Sequence, residues 1–235
     1  MIPVKWVLGV LAPSMRSPSG ITGWFAQRLM ESSNPPSTRE GIQRLGLTSD
    51  DTFVELGAGS GAGLKSLGGG EEEEEENVGS DGTADAPAAP AGIPSRIVCV
   101  EISQDFRDEL EKVKAGLEYQ DRVEIYPDDC KAMPFLEDES VDKIFAMNVV
   151  YFLDPLEEYL TEIRRVLKPG GVVSFGCKFP ALPKDSDVFI NVEEEIIVEK
   201  MEQAGFEVKS TFVKLPERHS FTEILGRKMP SGSRL

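Results

Sequence analysis

Histidine, cysteine, basic charge and long apolar runs are all in short supply in this chain. One histidine, His219, and three cysteines, Cys99, Cys130 and Cys177, occur in 235 residues. The cysteines stand far apart and form neither a disulfide framework nor a CxxC knuckle. A small disulfide-built scaffold is therefore excluded, no metal site is expected, and a reducing, intracellular setting follows. No apolar run approaches the roughly 18 residues that a membrane span requires. Lys and Arg total 25 against 41 Asp and Glu, for a formal charge of −16 and a pI near 4.6. That balance argues against a nucleic-acid substrate, because backbone binding draws its affinity from clustered Lys and Arg.

What is present suffices for one domain with decoration. Apolar residues make up 40% of the chain and charged residues 28%, enough for a sizeable core. The charge is concentrated. Between Ser66 and Ser95 lie Glu71 to Glu76, Asp81 and Asp85 and no Lys or Arg, so this stretch carries −8, half of the total. It also holds six glycines and three prolines and no aromatic residue. Such a segment cannot bury enough apolar surface to offset its ordering entropy, and it is expected to be a disordered acidic insertion at about 66–95. The first 30 residues contain Lys5, Arg16 and Arg28 and no acid, a composition shared with mitochondrial presequences. Ile21, Trp24, Phe25 and Leu29 recur at helical spacing, however, and the preferred reading makes residues 1–50 a helical cap, with a cytoplasmic setting.

From residue 38 onward helical and extended patterns alternate. Thr38 to Leu45 reads as a short helix and Thr52 to Leu56 as a buried strand. Beyond the insertion, Arg96 to Val100, Val123 to Tyr126, Lys143 to Met147 and Val172 to Phe175 read as further strands. Helices are expected over Ala62 to Leu67, Ser103 to Tyr119 (with Ser103 as N-cap), Leu156 to Leu167 and Val192 to Ala204. Pro169-Gly170-Gly171 is read as the stop of the Leu156 helix. Phe206 to Val213 and Phe221 to Leu225 close the chain as two strands expected to make one antiparallel edge. Strands alternating with helices predict a parallel sheet covered on both faces.

Four motifs carry chemistry. Val54-Glu55-Leu56-Gly57-Ala58-Gly59-Ser60-Gly61 is a strand running into closely spaced glycines, which lets backbone turn sharply and approach a ligand. Glu101 ends the next strand, where a carboxylate can accept both hydroxyls of a ribose. It lies 44 residues after Gly57, and removing about 25 residues of the insertion restores the roughly 20 expected between such a loop and its acid. Asp128-Asp129-Cys130 follows the third strand, where a carboxylate and the next backbone N–H can meet an adenine. Met147-Asn148 and Tyr151 follow the fourth. Gly57-x-Gly59-x-x-Ala62 alone also satisfies a relaxed dinucleotide fingerprint, which keeps a nicotinamide-dependent oxidoreductase open as an alternative, although no Tyr-x-x-x-Lys dyad accompanies it. A non-catalytic binding protein on the same fold, using the acidic insertion as its interaction element, is the other alternative.

Taken in order, Val54 to Gly61, Glu101, Asp129-Cys130 with Pro134-Phe135, Val141-Asp142 and Leu167-Lys168-Pro169-Gly170-Gly171 make residues 50–235 resemble the class I S-adenosylmethionine-dependent methyltransferases, especially the branch of quinone-biosynthesis C-methyltransferases. The resemblance implies a Rossmann-like, doubly wound, seven-stranded and mostly parallel sheet over residues 51–235, with the N-terminal cap above it. It implies S-adenosylmethionine as cofactor and a small apolar or amphipathic molecule as methyl acceptor. Carried over by position, Glu55, Gly57, Ala58, Gly59 and Gly61 surround the methionine moiety, Glu101 and Ile102 meet the ribose side, Asp129 and Cys130 meet the adenine, and Asn148 sits near the sulfonium. Asn148 and Tyr151 are also the candidates for orienting the acceptor. In-line methyl transfer to an acceptor that is already nucleophilic needs no dedicated acid or base.

Overall fold

A computed structural model of the chain describes residues 35–67, 92–182, 189–216 and 219–230. Ile21, Trp24, Phe25 and Leu29 of the expected cap, and residues 68–91 of the expected insertion, lie outside the described residues. The elements are, in chain order, α1 (Pro35–Arg44), β1 (Thr52–Leu56), α2 (Ala62–Leu67), β2 (Arg96–Val100), α3 (Gln104–Ala115), β3 (Val123–Tyr126), β4 (Val141–Met147), α4 (Leu156–Val166), β5 (Leu167–Cys177), α5 (Glu194–Gln203), β6 (Phe206–Val213) and β7 (Phe221–Lys228). Among the described residues no helix is long and apolar enough to cross a membrane.

The seven strands form one sheet in the order β3-β2-β1-β4-β5-β7-β6. Strands β1 to β5 pair in parallel, and β7 runs antiparallel to both β5 and β6. The closing pair forms the antiparallel edge expected of it, with β7 reversed and inside and β6 outermost, aligned with the first five. The central strands are apolar on consecutive positions because both faces are covered: in β1, Phe53, Val54 and Leu56 are all fully buried. One face packs Val54, Leu56, Val98, Val100, Ile144 and Ala146 against Leu160 and Ile163 of α4 and Ile197 and Met201 of α5. The other packs Phe53, Ile97, Cys99 and Phe145 against Ile42 of α1, Leu64 and Leu67 of α2 and Leu110 of α3. Ser103 caps α3, accepting from the Phe106 N–H at 3.5 Å.

The expected insertion leaves a trace at its ends. Strands β1 and β2 pair without a register shift from Thr52–Arg96 to Leu56–Val100. Just before that ladder the Ser95 N–H donates to the Asp51 carbonyl at 3.1 Å, and the Gly92 N–H donates to the Leu47 carbonyl at 2.9 Å.

Strand β5 is longer than its sequence suggests, and the reason is local. Helix α4 ends at Val166, before the Pro-Gly-Gly that was read as its stop, and Leu167 already pairs with Val141. An irregularity between Val141 and Lys143 separates that contact from the regular ladder. Asp142 holds it, accepting from the Thr52 N–H at 2.9 Å and from Lys168 Nζ at 2.7 and 2.8 Å. A Cβ on Gly171 would lie 2.9 Å from the Lys168 carbonyl oxygen and 3.0 Å from that of Asp142, so only glycine fits the turn without backbone movement. Gly171→Ala should therefore cost about 1–3 kcal/mol and lower the thermal midpoint by about 2–4 °C per kcal/mol. Circular dichroism melting measures it, and an unchanged midpoint would show that the irregularity yields freely.

Candidate active site

The chain runs outward from β1 through β2 to β3, then returns to the other side of β1 to build β4 and β5. At such a reversal the connections leave the strand ends in opposite directions, and a crevice opens beyond the carboxyl ends of the two central strands. A cavity of about 550 Å³ lies there, within the range of small-molecule sites.

Its floor is the glycine loop. Gly57 and Gly59 take φ of +64° and +55°. A Cβ on Gly57 would also meet the Val149 methyl at 2.5 Å, so this position is restricted by conformation and by space. The Gly57 N–H donates to the Val100 carbonyl at 2.8 Å, stitching the loop to the end of β2. One residue on, buried Glu101 accepts from the Gly59 N–H at 2.9 Å on one carboxylate oxygen and from the Ser103 N–H at 2.9 Å on the other. Burial pushes the Glu101 carboxyl above its ordinary pKa, and those two backbone donors oppose the rise. A carboxylate has about four acceptor positions, so Glu101 retains capacity for a vicinal diol.

Glu55 is the most perturbed group on the wall. It is 4% exposed, its Oε2 has no hydrogen-bond partner, and its pKa is pushed up to about 8 by burial first and the Glu101 charge second. The carboxylate lies against Gly63 in the first turn of α2, where a Cβ would stand 2.2 Å from either oxygen. Gly63 was not singled out from the sequence, although it continues the every-second-residue glycines from Gly57 through Gly61. A buried carboxylate with an unpaired oxygen fits a cationic donor such as an ammonium group.

Of the residues picked as cofactor contacts, Glu55, Gly57, Ala58, Gly59, Glu101 and Ile102 line the cavity, and so do Asp129, Cys130 and Asn148. Gly61 does not: a Cβ there would point at Leu110 and Val113 of α3, 3.1 and 3.2 Å away, so this glycine admits the helix rather than a ligand. Asp129 accepts from the Tyr159 hydroxyl at 3.1 Å and from the Lys131 N–H at 3.1 Å. Burial raises the Cys130 thiol to about 12, which leaves it an unreactive wall group.

Asn148 has a left-handed backbone, φ +59°, and its N–H donates to the Gly176 carbonyl at 2.8 Å. Tyr151 sits behind it and off the cavity wall. Its hydroxyl donates to Asn148 Oδ1 at 3.2 Å and accepts from the Lys178 N–H, while its ring packs edge-on against Phe152, Phe179 and Phe189. Burial keeps the phenol far above its ordinary pKa, so it remains a hydrogen-bond donor that fixes the asparagine. The sequence also missed Arg39 and Thr38 of α1 and Lys65 of α2, which line the cavity too.

Three comparisons with known proteins bear on this geometry. A family model described as a methyltransferase domain matches residues 76–175, which contain β2 to β4 and most of β5 and exclude the glycine loop. A sterol 4-C-methyltransferase of Caenorhabditis elegans is 40% identical over 57 residues, a stretch that makes up 24% of this chain and 17% of that protein. Among solved structures, a chain from the complex of the Haloferax volcanii Trm112 methyltransferase activator with a methyltransferase superposes with a TM-score of 0.67 at 17% identity, over 87% of this chain and 94% of that one. Geranyl diphosphate C-methyltransferase of Streptomyces coelicolor, solved with Mg2+, geranyl diphosphate and S-adenosyl-L-homocysteine, superposes with a TM-score of 0.60 at 14% identity, over 83% of this chain and 79% of that one. None of these findings supports a nicotinamide-dependent enzyme. With the sheet order, these findings make the chain similar in fold to the S-adenosylmethionine-dependent methyltransferases, and its residues 76–175 similar to a methyltransferase domain.

Proposed function

We propose that the cavity binds S-adenosylmethionine across the ends of β1 to β4 and that the protein transfers its methyl group in line to a small apolar or amphipathic acceptor. The observation that carries this reading is the pair of buried carboxylates, Glu55 and Glu101, set on either side of a left-handed glycine loop at the sheet's reversal. When bound, the cofactor supplies an electrophilic methyl group on a positively charged sulfur.

The chain's own residues then bind and align. Glu55 takes the ammonium of the methionine end on its unpaired oxygen, with the backbone of Gly57, Ala58 and Gly59 alongside. Glu101 takes the ribose hydroxyls, and Asp129 with the Cys130 backbone takes the adenine against Ile102. Asn148, held by Tyr151, borders the reacting centre. Beyond it the wall is apolar, formed by Met147, Val149, Phe152 and Leu153, which favours an apolar acceptor. Residues 1–50 serve as the cap: α1, their described part, already reaches the cavity through Pro35, Thr38 and Arg39. Charge is dispersed as the sulfonium becomes neutral, so a dry cavity favours the transfer, and alignment supplies up to roughly 7–11 kcal/mol in well-oriented systems.

Glu101→Ala should weaken S-adenosylhomocysteine binding by about tenfold or more, the loss of charge-assisted hydrogen bonds, read by titration calorimetry; unchanged affinity removes the ribose role. Glu55 sets a pH dependence. Its pKa in the free protein, about 8, lies above the ordinary 4.5, so its contribution to stability is complete below the ordinary value and is lost as pH rises towards 8. The ammonium favours the ionised form, so affinity should rise by about tenfold or more from pH 6 to pH 8, with a proton released on binding. Glu55→Gln should abolish that rise and, near pH 8, raise the thermal midpoint of the free protein. Affinity that falls with pH over this range would contradict the assignment.

A further inference from the structure

Helix α1 is tied near both ends to β7 and the turn that leads into it. Near its start the buried Ser37 hydroxyl donates to the His219 carbonyl, in the turn before β7, at 2.7 Å. At its last residue Arg44 Nε donates to Glu223 Oε2 of β7 at 2.9 Å. The other oxygen of that carboxylate accepts from the Ser174 hydroxyl of β5 at 3.3 Å, and both Glu223 and Ser174 are buried. Ser37 and Arg44 stand two helical turns apart, about 10 Å at 1.5 Å per residue. Their partners follow in the same order along the chain, so α1 runs alongside β7 in the same direction. Between the two ties Gly41 lies close against β4: a Cβ there would stand 2.7 Å from the Phe145 ring.

We propose that Glu223, remote from the cavity wall, is a positioning residue for the cavity. Through Arg44 it fixes where α1 stands along the sheet, and with the helix the wall that Pro35 and Thr38 supply. The proposal rests on the S-adenosylmethionine reading above. The apolar contacts of α1 do not set this position. Ile42 and Leu45 are held by burial, which is non-directional, and Gly41 has no side chain to catch on the sheet. The hydrogen bonds at the two ends are directional, and a helix that keeps only one of them can pivot. Stability alone does not require the carboxylate at 223, because a buried ion pair can be replaced by well-packed apolar residues at little or no cost. The next residue on the same face of β7, Leu225, is apolar and packs into that core. A buried polar group kept under those conditions is best explained by the register it enforces.

The triple variant Arg44→Met/Ser174→Ala/Glu223→Met replaces the three polar side chains of that tie together, so none of them is left buried and unpaired. Its thermal midpoint should stay within about 3 °C of the unmodified protein's. Titration calorimetry of the full chain should nevertheless show S-adenosylhomocysteine bound about fivefold or more weakly, since only molecules with α1 in place bind well. Hydrogen exchange over Arg39 to Arg44 should quicken by about tenfold or more, with β1 unchanged. Arg44→Lys, whose ammonium still reaches one carboxylate oxygen, should keep affinity within about twofold. Unchanged affinity in the triple variant overturns the proposal. A parallel fall of affinity and thermal midpoint, with β1 also exchanging faster, overturns it as well, because it makes Glu223 an ordinary structural group. If the unmodified protein does not bind S-adenosylhomocysteine, the cofactor reading fails, and exchange in α1 still decides whether Glu223 holds the helix.

Discussion

Strand β1 has a neighbour on each side and an apolar layer on each face, and everything near the site follows from that enclosure. A strand so placed satisfies its backbone along its length but has no ladder partner for the loop that follows it. The first N–H groups beyond Leu56 must find acceptors, and they find them on β2, at the Val100 carbonyl and then at the Glu101 carboxylate. The glycines make this path possible, since φ near +60° carries the chain back over the sheet end without a Cβ in the way. The loop is therefore held to the sheet on one side and presents bare backbone on the other.

The same enclosure places Glu55 in a costly setting. A carboxylate in the last turn of a buried strand loses its water, and Glu101 nearby adds repulsion rather than relief. The fold tolerates an unpaired oxygen at Glu55 where a glutamine or an apolar residue would serve stability better. A site that binds a cation gains from keeping this group poised, because ligand charge replaces the missing solvation. Tyr151 shows the opposite arrangement: a buried polar group, fully engaged, whose task is to hold a neighbouring asparagine still.

Much of this was legible in the sequence, and the boundary of legibility is physical. β1 and β2 begin and end where their apolar runs do, because a strand covered on both faces writes its burial directly into consecutive residues. The place of the glycine loop and Glu101 on the cavity wall was readable because it depends on backbone freedom and on position at a strand end. Pro169-Gly170-Gly171 was read as the stop of α4, which ends at Val166, since local propensity cannot see that Asp142 on another strand holds Lys168 in an irregular stretch of β5. The interior position of β7 is a property of chain routing, which no local pattern encodes. Gly61 carries the same signature as its neighbours but serves helix packing, and Tyr151 proved to stand behind the wall. Arg39 and Lys65 were invisible for a related reason: they meet the cavity only once α1 and α2 have packed.

The two hydrogen bonds that tie Gly92 to Leu47 and Ser95 to Asp51 have a consequence for chain length. They anchor the return into β2 to the segment before β1, while α2 is seated on its own apolar contacts, so both ends of the connection between them are set by the folded domain. A flexible linker added between Leu67 and Gly92 would cost entropy that grows only with the logarithm of its length, about 0.6 kcal/mol per doubling. That makes this junction a port for grafting a reporter or a second module.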